Sequence, residues 1–283
     1  MNKTLHSLHS TFDRQGGSHT IKNLQLFIHF SADKISLGSY WAGEKQFKGL
    51  STYTRLQNSL PELNDLHELR NSMGVSPKAQ VGLVFSSIKH VLIPKSLFDE
   101  THKDSYLNIV NEVSQGESVL SWDIPKLDSV LVCSVENDLM KLGKQAFPNA
   151  SIHHHLLVML QKVLDTPHEK GHKLWIYFRK KSFDLVLQHK NKILLLNSFT
   201  FETKEDVAYH VLNLYQQFNL DNAVVPACLC GEIMKESAVY ELLYRYIANI
   251  DIWEGDVEIL NGLDFMEMPS AYYFTLINLP KCV

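Results

Sequence analysis

Residues 173–232 read KLWIYFRKKSFDLVLQHKNKILLLNSFTFETKEDVAYHVLNLYQQFNLDNAVVPACLCGE, and this stretch decides the fold. It opens with an apolar and aromatic run over 174–178, an alternating segment over 183–188 and an aliphatic run over 193–196. Each of these patterns is typical of a β-strand. Because the connections have hairpin length, the sequence predicts a three-stranded antiparallel meander.

A helix and another strand follow the meander. Thr203 and Asp206 have the spacing of a capping box, and the apolar residues from Val207 to Phe218 fall on one helical face. The run over 223–229 predicts a strand reached through this helix, so we expect it to lie parallel to a strand of the meander. A second helix around 239–247 and a last strand over 257–260 complete the order β-β-β-α-β-α-β.

The first half of the chain begins in the same way. Alternating apolar residues over 24–30 and 35–39, with a weaker strand over 45–52, predict another meander. Ser59 followed by Glu62 opens a predicted helix that ends near Met73. The remaining elements are predicted as a hairpin over 81–85 and 90–93, a helix over 104–113, a strand over 129–135, a helix over 137–147 and a connecting helix over 155–164.

The order β-β-β-α-β-α-β is that of the ribonuclease-H-like fold, which is the repeated unit of actin-like ATPases. Residues 197–206 (NSFTFETKED), 214–218 (LYQQF) and 229–233 (LCGEI) resemble the C-terminal signature of a bacterial family of unknown function with a duplicated, actin-like architecture. Residues 90–98 (HVLIPKSLF) resemble the first-half signature of that family. The resemblance implies an α/β protein of two ribonuclease-H-like domains with mixed sheets, arranged as in actin-like ATPases, and no known activity.

The expected domain boundaries follow from this duplication. Residues 1–165 would form the first domain, with a loose arm over 1–20 that includes at most one short edge strand. Residues 166–283 would form the second domain. The place of its last segment, 264–283, is not assigned by the sequence, but in actin-like folds the chain end often returns to the first domain.

Composition narrows the class of function. The net charge of −4 and pI near 6.4 disfavour non-specific nucleic-acid binding, which requires a basic surface. No apolar run approaches the roughly 20 residues of a membrane span, and the N-terminus has no signal-peptide pattern. The four cysteines include no C-x-x-C pair. These features predict a cytoplasmic protein in a reducing compartment.

An ATPase site is tested first, because the resemblance suggests it. Actin-like ATPases hold phosphate and metal in hairpin turns that combine Asp with Gly and Ser or Thr. The first turn here, 30–34, has Asp33 but no glycine, and the second, 178–182, has neither residue. Gly231 is a lone glycine where those ATPases usually have a pair. The sequence therefore favours ordinary hairpin turns over a functional ATPase site.

A nuclease site is favoured even less. Two-metal chemistry needs several converging carboxylates, one of them in the middle of the first strand. That strand offers His29 in the first half, and Trp175 and Tyr177 in the second. Asp184 lies on the next strand without an apparent acidic partner, and its pattern indicates a solvated position facing away from the core.

Two clusters invite a metal hypothesis. His153, His154 and His155 are adjacent, and only the first and third could share a strand face, so a zinc site with His168 or His172 competes with an exposed polar segment. Cys228 and Cys230 could also share a face, but core packing is favoured for them over metal or redox chemistry. The sequence assigns no catalytic, cofactor-binding or metal-binding residue, and no cofactor.

Five basic residues fall at what the sequence predicts to be two neighbouring turns, namely Arg179, Lys180, Lys181, Lys190 and Lys192. They are interpreted as solvated, with an acidic partner or RNA as the alternative. No G-x-S-x-G, Walker or G-x-G-x-x-G motif is present. The sequence thus predicts a non-catalytic binding or scaffold protein with a protein partner, and a small-molecule ligand is not excluded. The alternative is a divergent nucleotide-binding protein or phosphotransferase that uses the interdomain cleft.

Overall fold

A computed structural model describes residues 5–13, 24–55, 60–166 and 168–282. The strands of these residues form three sheets. They are β1 (Leu5–Phe12), β2 (Leu24–Phe30), β3 (Lys34–Trp41), β4 (Gln46–Arg55), β5 (Val81–Phe85), β6 (His90–Pro94), β7 (Glu117–Ile124), β8 (Ser129–Glu136), β9 (Ser151–His154), β10 (His168–Arg179), β11 (Ser182–Lys190), β12 (Lys192–Thr200), β13 (Ala227–Gly231) and β14 (Ile250–Ile252).

The α-helices pack against the two large sheets, except α2, which packs against the third, smaller sheet. They are α1 (Leu63–Ser72), α2 (Lys103–Val110), α3 (Asn137–Ala146), α4 (His155–Leu164), α5 (Lys204–Gln217), α6 (Ala238–Tyr244) and α7 (Phe274–Asn278). None of the helices in the described part of the chain is both long and apolar enough to cross a membrane.

The second sheet has the order β12-β11-β10-β13-β14. Its first three strands form the predicted antiparallel meander, and β13 lies parallel to β10, which confirms the predicted crossover. The capping box of α5 is also confirmed, since Thr203 Oγ1 accepts from the Asp206 amide and Asp206 Oδ2 accepts from the Thr203 amide. The order of strands and helices along this half of the chain is β-β-β-α-β-α-β, as predicted.

The first sheet repeats this arrangement in the order β4-β3-β2-β5-β9, with β1 added antiparallel to the outer edge of β4. The predicted edge strand of the N-terminal arm is therefore β1. The predicted start of α1 at Ser59 lies outside the described residues. Glu62 is the N-cap of this helix, and it forms a reciprocal capping box with Asp65.

A small sheet interrupts the repeat. Its order is β6-β8-β7, and it lies between β5 and α3 in the sequence. The predicted hairpin over 81–85 and 90–93 is wrong, because β5 inserts between β2 and β9 while β6 pairs with β8. Both runs are apolar strands, as expected, but their partners are distant in sequence.

The predicted last strand over 257–260 is also wrong. These residues form turns, and Val257 is 84% exposed. The strand is β14, in which Ile250 is buried and pairs with Ala227. The preceding strand, β13, begins at Ala227 rather than at residue 223, because the amides of Val224 and Val225 bond back to the Asp221 carbonyl in a turn.

Helix α4 lies between the two large sheets. Its residues Met159 and Leu160 pack against Trp175 of the second sheet, while Val158 packs against Phe27 of the first. The C-terminal helix α7 joins both of these clusters: Phe274 packs with Trp175, and Leu276 packs with Phe27. The sheets are thus held together by buried apolar side chains, and the strand ends above them form a cleft.

Candidate functional site

Two hairpin turns face each other across this cleft. The β2–β3 turn contains Ser31 and Asp33, and the β10–β11 turn contains Lys180 and Lys181. Each turn follows the first strand of its repeat, so the repeat itself places them opposite each other. The cavity between them has a volume of about 570 Å³, and Ser86 is among the residues that complete its wall.

Ion pairs join the two turns. Lys180 Nζ lies 3.0 Å from Asp33 Oδ2, and Lys34 Nζ contacts Glu232 Oε2 at the end of β13. Burial raises the pKa of Glu232, even though the positive charge of Lys34 opposes the shift. The Glu232 carboxylate is therefore poorly hydrated, and Lys34 is its main stabilising partner. The charges that line the mouth of the cleft are therefore directed at each other across it.

Below the turns, Arg179 and Asp184 form a buried pair. Arg179 Nη2 donates to Asp184 Oδ1 over 2.7 Å, and its Nε donates to Ser182 Oγ over 2.9 Å. Asp184 is fully buried and Arg179 is 9% exposed. Burial would raise the pKa of Asp184, but the Arg179 guanidinium, His155 and the Ser198 hydroxyl outweigh it and lower that pKa to about 2.

Histidines surround this pair. His155 Nε2 lies 2.9 Å from Asp184 Oδ2, and the pKa of His155 falls to about 4 because it is buried and lies beside Arg179. His29 Nε2 is hydrogen bonded to Ser86 Oγ at 2.7 Å, and burial, with the positive charge of neighbouring groups, lowers its pKa to about 3. Both imidazoles are therefore neutral near pH 7.

The basic residues of the cavity wall are paired with acids. Besides the pairs of Lys180 and Arg179, Lys89 lies 2.6 Å from Glu117, and Lys181 lies 3.6 Å from Glu202. An anionic ligand would have to displace these carboxylates. Within the described ranges, no group of three His, Cys, Asp or Glu side chains is placed to hold a metal ion. The charges of the cavity wall are thus balanced, and two of the pairs, Lys180–Asp33 and Lys34–Glu232, join the two halves.

The structure corrects the interpretation of Asp184. The sequence indicated a solvated strand position, yet the residue is fully buried. Its strand, β11, lies between β10 and β12, and both faces of the sheet are covered: Leu185 packs toward α5, and Val186 packs toward α4. A polar residue on such a strand cannot reach solvent on either face, so it needs a buried partner.

The structure explains why glycine occupies position 231. Its φ is +80°, and a Cβ at this position would lie 2.1 Å from the Phe178 carbonyl oxygen. Because β13 ends here against β10, glycine is the residue that allows the close approach. The Glu232 amide then donates to the same Phe178 carbonyl over 2.9 Å, and this contact directs the Glu232 side chain toward Lys34.

The sequence indicated that the histidine cluster is an exposed polar segment, but the cluster is buried. His153, His154 and His155 are 8%, 0% and 1% exposed, because β9 ends at His154 in the first sheet and α4 begins at His155 below the cleft. Cys228 and Cys230 are buried in the apolar cluster beside α4, where burial raises the pKa of the Cys228 thiol to about 11.

The five basic residues do not form one patch. Arg179 is buried, whereas Lys180 and Lys181 are exposed at the cleft. Lys190 and Lys192 belong to the β11–β12 turn, at the other end of β11, roughly 30 Å away for a strand of this length. Successive turns of an antiparallel meander lie at opposite ends of the sheet, so the prediction of two neighbouring turns was wrong.

Sequence reasoning missed the Arg179–Asp184–His155 network. One signal was present: Asp184 alternates with apolar residues in a segment flanked on both sides by apolar strands, which is the pattern of a central strand. The contribution of His155 had no local signal, because it comes from α4, 29 residues earlier in the chain.

Solved structures with a similar fold were found. A protein of unknown function with an actin-like ATPase fold from Bacteroides thetaiotaomicron has a TM-score of 0.71 at 18% identity, over 84% of this chain and 94% of that chain. The PilM–PilN type IV pilus biogenesis complex gives 0.63 at 12% identity, over 91% and 98%. The ethanolamine utilization protein EutJ from Carboxydothermus hydrogenoformans gives 0.50 at 8% identity, over 90% and 88%.

These likenesses establish the fold, and the predicted α/β architecture of the actin-like ATPase type is confirmed. A search of curated proteins found no match. The profile of a protein family of unknown function, DUF3822, matches residues 13–250. Since this match spans both large sheets and the cleft between them, the chain belongs to the DUF3822 family of proteins of unknown function.

Proposed function

We propose that this protein is a non-catalytic binding or scaffold protein built on the actin-like fold, with a protein as its partner. The observation that carries the proposal is the pairing of charges across the cleft. Asp33, the one carboxylate of the first turn, is bound to Lys180 of the second, and Lys34 is bound to Glu232. The charged groups of the two turns are thus paired with each other rather than left free to bind a metal nucleotide.

The domain boundary and the compartment are part of this proposal. We place the boundary between residues 165 and 166, after α4, and assign the segment 264–283 to the first domain, which is supported by the packing of Leu276 with Phe27 of the first sheet. We place the protein in the cytoplasm of a bacterium, and the support is that all four cysteines are free thiols. The PilM–PilN complex supports a protein partner as an analogy, because it shows one protein of this fold in complex with another.

A divergent nucleotide-binding protein or phosphotransferase is the second candidate. The cavity of about 570 Å³ favours it, since the volume suits a small ligand and Ser31, Ser86 and Ser87 offer hydroxyl groups to it. Against it, each of the two hairpin turns lacks the glycine that would let backbone amides approach a phosphate.

Thermal denaturation with millimolar ATP and Mg²⁺ distinguishes the two candidates. A ligand present at 100 times its dissociation constant stabilises the folded state by about 2.7 kcal/mol, which would raise the melting temperature by several degrees. We expect no rise, and no release of phosphate in a coupled assay. A rise that is lost in the Ser31→Ala/Ser87→Ala variant, with the variant folded, would establish the nucleotide-binding candidate instead.

A further inference from the structure

A second concave surface lies on the other side of Ile88 from the cleft. We call it the edge groove: it runs between β6, the outer strand of the small sheet, and β12, the outer strand of the second sheet. Its volume is about 390 Å³. Among the residues that the structure describes, each of these strands is paired on one side only, so the groove is bordered by two sheet edges.

The walls of the edge groove carry no charged side chain. They are lined mainly by aliphatic residues of β6, α2 and β12, and several of these are exposed: Val110 is 56% exposed and Leu194 is 43% exposed. Ile109, which precedes Val110 in α2, is 81% exposed. A concentration of exposed apolar side chains around a groove is typical of a protein interaction site.

The backbone of β12 is suited to an added strand. Residues 193–198 line the groove along their length, and an edge strand presents outward N–H and C=O groups at every second residue. The Leu196 backbone is hydrogen bonded to the His90 side chain, which an added strand would displace, and the register of β12 against β11 shifts at Leu194. At the cleft end the groove is closed by His90, whose Nδ1 lies 3.3 Å from Ser198 Oγ. A bound segment would therefore extend along β12 from Ser198 toward Lys192.

The open end of the groove is basic. Lys190 and Lys192 are both exposed there, and neither forms an ion pair with a residue that the structure describes. This differs from the cleft, where the lysines are paired with acids. A groove with mainly aliphatic side chains, exposed backbone polar groups and two unpaired lysines at one end is complementary to an extended segment with alternating apolar residues and acidic residues at one end.

We propose that the edge groove binds an extended segment of a partner protein, which adds to β12 as a strand, places alternate aliphatic side chains into the groove and ends in acidic residues at Lys190 and Lys192. Backbone hydrogen bonds supply affinity in such a complex, and the alternate side chains supply specificity. The inference rests on the proposed scaffold function and specifies the surface and the chemistry of the partner.

Selection from a random dodecapeptide library displayed on phage tests the inference. The full chain is the target, with Val110→Asp/Leu194→Asp as the groove variant. Tyr209→Asp is the matched control, because Tyr209 is 66% exposed on α5, outside the groove. The three proteins should have the same circular dichroism spectrum, since none of the substituted side chains is buried.

We expect the enriched peptides to share alternating apolar residues with Asp or Glu at one end. A synthetic peptide of the consensus should bind the groove variant at least tenfold more weakly than the wild type and the control. It should slow amide hydrogen exchange in 192–198, and proline at alternate peptide positions should abolish binding. Lys190→Glu/Lys192→Glu should weaken binding several-fold, with recovery when the acidic end is replaced by lysines.

Three outcomes would overturn the inference. The first is a selection without a consensus, and the second is a consensus peptide that binds the groove variant as well as the wild type. The third is a dimer of the wild-type chain that the groove variant abolishes, because the occupant would then be a second copy. None of these results depends on ATP, so failure here is distinguishable from failure of the proposed function.

Discussion

The Arg179–Asp184 pair places two charges where almost no water reaches them. Removing such groups from water costs several kcal/mol for each ion, and the cost is offset here by direct contacts: Asp184 accepts from Arg179 and Ser198, and it also contacts His155. Removal of one partner should therefore lower the unfolding free energy far more than removal of the exposed Lys180–Asp33 ion pair at the mouth of the cleft.

Substitution of Arg179 tests this difference. Arg179→Met leaves Asp184 as an uncompensated buried charge, so we expect the free energy of unfolding to fall by about 3–5 kcal/mol in urea titrations. Lys180→Met is the matched control in the same turn: its side chain is 65% exposed, and the expected loss is within about 1 kcal/mol. In Arg179→Met/Asp184→Leu most of the stability should return. Equal losses in the two single variants would contradict the buried pair.

The buried histidines predict a pH dependence. The pKa of His29 falls from 6.5 to about 3 on folding, so the unfolded chain binds protons that the folded chain does not. The stability present above pH 6.5 is therefore lost as the pH falls toward 3, at up to about 1.4 kcal/mol per pH unit for each such group. His155, whose pKa falls to about 4, contributes in the same direction.

Urea titrations between pH 7 and pH 4 measure the slope of the unfolding free energy against pH. His29→Gln retains a polar group that can reach Ser86 but cannot take up a proton, so its stability should decline less steeply than that of the wild type. Leu97→Gln, at a side chain that is 69% exposed and has no ionisable group, should leave the slope unaltered. A His29→Gln slope equal to that of the wild type would show that His29 takes up a proton as readily in the folded chain as in the unfolded chain.

The sequence predicts the local contacts of individual side chains but not their burial. Thr203 and Asp206 were predicted correctly as a capping box, because the motif depends only on residues three positions apart. Asp184 was misinterpreted, because its environment is set by α4 on one face of the sheet and α5 on the other. Burial of a single polar residue depends on which elements pack over it, and that information is not local.

At the scale of the element, the end of β13 depends on one glycine. Gly231→Ala would place a Cβ 2.1 Å from the Phe178 carbonyl oxygen at a φ of +80°, so β13 must move away from β10. We expect a loss of more than about 2 kcal/mol in unfolding free energy. Gly74→Ala is the control, since its φ is also positive, +69°, but nothing lies within 4 Å of the added Cβ.

The expected cost of Gly74→Ala is about 1 kcal/mol, the strain of a left-handed backbone alone. Urea titrations of the two variants measure the difference. If the two alanine variants were equally stable, the close approach of β13 to β10 would be contradicted. The experiment thus separates backbone strain from steric contact at two glycines of similar conformation.

The elements themselves were largely predictable, whereas their pairing was only partly so. β10, β11 and β12 are adjacent in sequence and joined by short turns, which leaves a meander as the simple arrangement. β6 has the same apolar pattern, yet its partner β8 begins 35 residues after Pro94, past α2 and β7. Periodicity predicts that a strand exists, and it does not identify a distant partner.

For the whole molecule, two kinds of contact hold the large sheets together. Ion pairs across the mouth of the cleft are partly exposed, and each contributes on the order of 1 kcal/mol. Below them, α4 and α7 bury apolar side chains against both sheets, and one such residue, Phe274, is fully buried. The apolar layer should dominate, since truncation of one buried phenylalanine costs about 3–5 kcal/mol.

This balance predicts that the cleft does not open when its ion pairs are removed. Lys34→Gln/Lys180→Gln should lower the unfolding free energy by about 1–3 kcal/mol and leave the radius of gyration from small-angle X-ray scattering unchanged. Phe274→Ala should cost more stability than both lysine substitutions together. An increased radius of gyration in the lysine variant would show that the ion pairs hold the two halves closed. Two halves held closed by ion pairs alone would be able to separate and admit a ligand, whereas a scaffold with a fixed cleft would not open.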